Sequence, residues 1–173
     1  MTGSSRLNVV TKSQLQKLTF PHDITLELAA IRKATEWTQG GRYNCGMQIR
    51  IASPDNLEFI EGAYKCARAF MQANGNATQW PDGYPGRIDA EEDIARGHCF
   101  LVADDEGPLA VFTLAPGPDE TYAQIDGAWH SDADYYVIHR VAAVRGHGVA
   151  RAIFTFAAEH ADYLRCDTHE DNA

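Results

Sequence analysis

The stretch VRGHGVARAIF, Val144 to Phe154, sets Gly146 and Gly148 among basic residues directly before an apolar run that contains no proline. Glycine adopts backbone conformations closed to other residues and lets a ligand approach the main chain. In the run that follows, Val149, Ile153, Phe156 and Ala157 fall at i, i+4 and i+7/8, which predicts a helix over about 148–161. The first amides of a helix lack intrahelical partners and lie beside a partial positive charge, so a glycine turn opening a helix suits phosphate. Arg145 and Arg151 add positive charge at the same end. A tight packing turn with no ligand is the other reading of these residues.

Two nucleotide signatures are excluded. The dinucleotide fingerprint, started at Gly146, needs Gly or Ala at position 151, where Arg stands. No Lys-Ser or Lys-Thr pair follows these glycines, as a nucleotide-triphosphate loop requires.

Working outward, YYVIHRVAAV (residues 135–144) is nearly continuous in apolar residues, as a central strand covered on both faces would be. YLRCDTH (163–169) predicts one more strand, and a strand–turn–helix–strand crossover requires those two strands to run parallel. Upstream, HCFLVADD and PLAVFTLAPG read as a hairpin joined through EGP. MQIRIAS, from Met47, alternates like a half-buried strand, and Ser53-Pro54 then caps a helix over about 54–74. That helix has Leu57, Ile60, Tyr64, Ala67 and Met71 on one face and stops in NGN, residues 74–76. IDAEEDIARG (88–97) is a short acidic helix closed by glycine. QWPDGYPG (79–86) is a loop whose Trp80 and Tyr84 either fold back on the core or line a pocket. A polar loop with Trp129 inside it spans Asp119 to Asp134. The order predicts a mixed α/β (α+β) sheet flanked by helices.

A chain of 173 residues makes one domain with a sizeable core, and 45% hydrophobic with 23% charged residues is ordinary for a soluble globular protein. No apolar run approaches a membrane span, and MTGSSRLNVVTKSQLQ lacks the core of a secretory signal, so a cytoplasmic location with no membrane partner is expected. Cys45, Cys66, Cys99 and Cys166 form no C-x-x-C pair, which predicts reduced thiols with neither a zinc site nor a disulfide framework.

The net charge of −9 argues against a generic phosphate-backbone partner, but it is unevenly spread. Residues 1–45 hold six bases against three acids, and residues 46–173 hold nine against 21. A boundary near Gly40-Gly41 follows, dividing a 1–45 extension from a 46–173 domain. The extension reads as a frayed end followed by one or two helices, with Leu26, Ala29, Ala30, Lys33 and Trp37 as an apolar stripe. It is expected to pack on the main domain or on a second copy in preference to a nucleic acid.

Arg145-Gly146-His147-Gly148-Val149-Ala150 matches the R/Q-x-x-G-x-G/A signature of the GNAT superfamily of acyl-coenzyme A-dependent N-acetyltransferases, at the same place between a long central strand and the next helix. From about Met47 to His169 the order of elements resembles that fold, and QWPDGYP, DGAWH, YYVIHRVAA and CDTHEDN look like a bacterial subgroup of it. The resemblance implies acetyl-coenzyme A as acyl donor and no metal. Main-chain groups of Val141, Ala142 and Ala143 would pair with the pantetheine arm as with an extra strand, and amides from Gly146 to Arg151 would hold the pyrophosphate. An amine would attack the thioester directly, with a strand N–H near Val141 for the oxyanion.

His139, just before that point, is the first candidate for the base; a buried, hydrogen-bonded histidine is the alternative. Asp167 and His169, two apart on one face of the last strand, are second candidates for the base or for acceptor binding, and two ligands fall short of a metal site. Trp80, Tyr84, Asp126, Trp129 and Tyr135 are candidate acceptor contacts, Asp126, Trp129 and Tyr135 being equally explained by a solvated loop. The excess of acid over residues 46–173 favours a cationic amine without naming it.

One departure from the family stands out. Members continue past the strand ending here in DTH with a helix and two more strands that complete the acceptor pocket. An uncovered last strand would be an exposed edge, to be filled by the amino-terminal arm or by a second copy, and a homodimer is expected. A non-catalytic acyl-coenzyme A-binding module is the alternative to an enzyme.

Overall fold

Alternating and continuous apolar runs both become strands of one sheet, the former toward its margin and the latter at its centre. The computed structural model describes residues 5–11, 42–43, 46–123, 129, 131–143 and 148–169. Its strands are β1 (Ser5–Thr11), β2 (Arg42–Tyr43), β3 (Met47–Ile51), β4 (Cys99–Asp104), β5 (Gly107–Pro116), β6 (Tyr136–Ala143) and β7 (Tyr163–His169). Its helices are α1 (Leu57–Ala73), α2 (Arg87–Ala95) and α3 (Val149–His160). The sheet order is β1-β7-β6-β5-β4-β3-β2. Every neighbouring pair is antiparallel except β6 and β7, which are parallel across the α3 crossover. This is the mixed, mostly antiparallel, helix-flanked sheet with one parallel pair that the sequence predicts.

Local chemistry sets the element ends. Ser53 is extended, Pro54 begins a single 3-10 turn ahead of α1, and Asn56 Oδ1 accepts the Ser53 amide at 2.9 Å. Past the end of α1, Gly75 has φ +87, and past α2, Gly97 has φ +73. The β4–β5 hairpin turns on Asp104, whose carboxylate accepts the amides of Glu106 and Gly107 at 2.9 and 3.1 Å.

Two apolar clusters hold the layers together. α3 contributes Val149, Ala152, Ile153, Phe156 and Ala157 to one, with Met47, Ile49, Val102, Phe112, Ile138 and Leu164 from the strands. α1 and α2 contribute Leu57, Ile60, Tyr64 and Ala90 to the other, with Cys99, Leu101, Val111 and Ala142. In the first, the Phe156 ring lies 5.1 Å from Phe100 and 5.9 Å from Phe112. Truncating a buried phenylalanine loses its transfer energy and leaves a void, so Phe156→Ala is expected to destabilise the fold by about 3–5 kcal/mol, read as a lowered urea midpoint. An unchanged midpoint would mean that α3 does not anchor this layer.

The amino-terminal reading is corrected over residues 5–11. Residues 5–11, expected as a frayed end ahead of helices, form β1, which pairs with all of β7 from Ser5↔His169 to Thr11↔Tyr163. Local signals for this strand are weak, and it is stabilised by a partner some 150 residues away in sequence. The arm therefore fills the β7 edge. Residues 42–43 form β2 and pair with β3 at the opposite margin. The helical stripe from Leu26 to Trp37 and the Gly40-Gly41 boundary lie outside the described residues.

Candidate active site

Strict alternation along β6 would send His139 and Arg140 to opposite faces of the sheet. Pairing with β5 slips between Val111 and Thr113: Val111 faces Ala142, and Thr113 faces His139. Two residues of β6, Arg140 and Val141, thus stand against the single Phe112, which is a β-bulge. Arg140 has φ +50, the left-handed region that non-glycine residues seldom occupy. The parity change shows in the core, since Ile138 and Ala142 are four apart yet belong to different clusters. Its consequence is that His139 and Arg140, although adjacent, line the same pocket.

That pocket, about 160 Å³, is lined by α2 (Glu92, Asp93), the residues after it (Arg96, His98), β5 (Thr113, Ala115), Asp119 and Thr121, the two β6 residues, and Tyr84. Opposite charges are paired around it. Arg140 Nη1 donates to Asp93 Oδ2 at 2.6 Å, and its guanidinium lies 5.6 Å from the centre of the Tyr84 ring. Burial by itself would depress the Arg140 guanidinium, but Asp93 and Tyr84 outweigh that and hold it above its ordinary value. It is a permanent cation. Cys99, buried nearby, has its thiol pushed up to about 12 by burial and by the Asp93 charge, which leaves it inert as a nucleophile.

His139 Nε2 lies 2.9 Å from Asp119 Oδ2, and the imidazole stacks on Tyr122 with ring centres 5.7 Å apart. A carboxylate on one ring nitrogen fixes the tautomer and the orientation of the ring. Burial alone would raise the Asp119 carboxyl, but hydrogen bonds from Thr121 and His139 prevail and hold it below its ordinary value of 3.8. A carboxyl depressed by folding contributes stability above its unfolded value that is lost as pH falls through the folded one. The wild type is therefore expected to lose stability more steeply than Asp119→Asn as pH falls below about 4, read from urea midpoints across that range. Parallel curves would mean that these hydrogen bonds contribute nothing.

The wall behind this pair is aromatic. Trp129 meets Tyr122 edge-on at 5.4 Å, and Tyr135 Oη accepts the Asp119 amide at 3.1 Å. The buried Arg165 guanidinium lies 4.0 Å from the Trp129 ring centre and 3.6 Å from that of Tyr135. Gly117 is needed here, because a Cβ would stand 2.6 Å from the Tyr135 ring.

Among the described residues the parallel pairing of β6 with β7 is confined to Tyr136↔Leu164 and Val137↔Arg165, while β7 continues alongside β1 to His169. Val141 and Ala143 are exposed and Ala142 is buried. Gly148 precedes α3 with φ +63, and the helix then begins with buried Val149, exposed Ala150 and half-buried Arg151.

The sequence candidates separate as follows. His139 and Tyr84 line the pocket. Trp80 does not: it is buried in the α1 layer, edge-on to Tyr64 at 5.9 Å, which is the fold back on the core that its loop also allowed. Trp129 and Tyr135 hold Arg165 and the Asp119 segment in place. Asp167 and His169 lie on β7 opposite Leu7 and Ser5 of β1. Asp126, Arg145, Gly146 and His147 lie outside the described residues. Sequence reasoning missed Asp93, Thr113, Asp119, Thr121 and Arg140. Two signals were there to be used: Asp89 and Asp93 at i, i+4 on one face of α2, and a His-Arg pair in an otherwise apolar strand.

Among the described residues no helix is long and apolar enough to cross a membrane. Nor does any group of three or more His, Cys, Asp or Glu side chains among them stand ready to hold a metal ion.

The fold has solved counterparts. It is similar to an acetyltransferase of the GNAT family from Streptococcus agalactiae, with 34% identity over 76% of this chain and 81% of that one and a TM-score of 0.67. It also resembles a GNAT-family acetyltransferase from Listeria monocytogenes in fold, with 20% identity, 73% and 78% coverage and a TM-score of 0.57. No protein-family model matches the chain, and no curated protein does.

Proposed function

Since the chain belongs to the GNAT family of acetyltransferases, we propose that it transfers an acetyl group from acetyl-coenzyme A to a primary amine by direct attack of the amine on the thioester. One observation carries this reading: among the described residues β6 pairs with β7 only as far as Val137 and slips against β5 at Arg140, and His139 on Asp119 lines a pocket at that slip. Backbone groups left without a strand partner need one, and the pantetheine arm offers amides of the right kind.

Acetyl-coenzyme A supplies an acyl group already activated as a thioester. The main chain of Val141, Ala142 and Ala143 binds and aligns the pantetheine arm. Amides of Gly146, His147, Gly148, Val149, Ala150 and Arg151, with the Arg145 and Arg151 side chains, hold the pyrophosphate. A β6 N–H near Val141 stabilises the developing oxyanion.

An alkylamine with a pKa of about 10.4 is protonated at neutral pH, so a proton must be removed before attack. His139, oriented by Asp119, takes it directly or through one water. Asp167 and His169 are the second choice for this task. The raised Cys99 thiol leaves direct attack, with no acyl-cysteine, as the route favoured here. Apart from Ala115 and the Tyr84 ring the pocket wall is polar, which suits a small polar amine and disfavours an aromatic or lipid-like one.

Calorimetric titration with acetyl-coenzyme A tests the donor half. A saturable one-site isotherm is expected, and the absence of binding would overturn the proposal.

A further inference from the structure

The bulge that brings His139 and Arg140 to one face requires something to hold it. Left-handed backbone is unfavourable for a residue with a Cβ, and strand pairing in register would otherwise restore one-to-one facing. Three residues meet at this point. Asp93 is 5% exposed, and its Oδ2 accepts from Thr113 Oγ1 at 2.6 Å and from Arg140 Nη1 at 2.6 Å. Thr113 is on β5, where it faces His139 immediately before the slip, and Arg140 is on β6 within it. A single buried oxygen on α2 thus ties the two strands together across the irregularity. Asp89, one turn earlier on α2, stands 3.9 Å from Arg140 Nη2 on the same side. Arg140 Nε is buried without a hydrogen-bond partner, so this side chain is aimed at Asp93 at the cost of one of its own donors.

We propose that Asp93 is a positioning residue for the transfer reaction: by clamping Thr113 and Arg140 it holds the β6 bulge, and the bulge sets where His139 and the main chain at Val141 meet the thioester. Asp93 touches neither reactant. Its influence on rate runs through geometry, where a misplacement of about 1 Å can cost about 100-fold.

A glycine at position 140 adopts positive φ without help, which separates this role from plain fold stabilisation. Asp93→Asn is expected to lower kcat for acetyl transfer by about 100-fold. Adding Arg140→Gly to it should recover about tenfold or more of that loss, because the bulge no longer needs its clamp. A residue that merely stabilised the fold would show no such rescue, and a double variant as slow as Asp93→Asn, or slower, overturns the proposal.

The kinetic arm rests on the acetyl-transfer reading; a structural arm does not. In crystal structures without substrate, Asp93→Asn should return residue 140 to negative φ with Phe112 facing one residue, and the double variant should keep the wild-type register. An Asp93→Asn structure with the bulge intact overturns the clamp whatever the protein acetylates. If that variant fails to fold, the double variant is still expected to fold with the bulge, and its failure to do so counts against the proposal.

Discussion

Replacing His139 with Gln is expected to lower kcat for acetyl transfer by about 100- to 10,000-fold while leaving the affinity for acetyl-coenzyme A nearly unchanged. Glutamine keeps a polar group near Asp119 but cannot accept and release a proton at neutral pH. The Asp119 contact fixes the ring, and the stack on Tyr122 fixes its plane, so the loss would be one of proton transfer and not of site architecture. His139 lines the pocket, whereas the donor is proposed to be held by the β6 main chain and the α3 start, which is why donor binding should survive. Steady-state rates compared with calorimetric affinities separate the two quantities. An unchanged kcat would move the base to Asp167 or His169.

Gly148→Asp should do the reverse and weaken acetyl-coenzyme A binding by about 10- to 100-fold, which is about 1.4–2.8 kcal/mol. The variant is expected to fold. A Cβ at position 148 meets nothing within 4 Å, Asp tolerates left-handed backbone better than most residues, and a carboxylate suits a helix start. That last preference is the reason for the loss of binding, since the new carboxylate occupies the pole that the pyrophosphate is proposed to use. Gly148→Ala separates strain from charge: it brings the backbone cost without the repulsion and should lose much less affinity. Equal losses in the two variants would assign the effect to backbone conformation, and no loss in either would remove the α3 start from the donor site.

The sheet was largely legible because its signals are local. The alternation in MQIRIAS, the continuous run in YYVIHRVAAV and the glycine turn before α3 each state an element's environment within about ten residues. What could not be read depends on distant partners. Thr11 and Ser5 become strand residues only because β7 presents an edge to them. The bulge at Arg140 depends on Asp93, 47 residues earlier, and without it alternation places Arg140 on the wrong face. The loop composition around Trp80 left a fold back on the core and a place in a pocket both open, and its packing on Tyr64 of α1 is a tertiary fact. His139 was found by its place on the central strand just before the donor site that the resemblance implies, whereas its partner Asp119 lies in a loop where an acidic residue carries no special signal.

The central claim is acyl transfer to an amine, and the release of free coenzyme A thiol from acetyl-coenzyme A across a panel of small polar amines tests it most directly. Thiol release that requires the amine, matches the yield of acetylated product by mass spectrometry, and disappears in His139→Gln is the expected result. Tight binding of acetyl-coenzyme A with no thiol released by any amine would contradict it and leave a protein that holds the donor without using it.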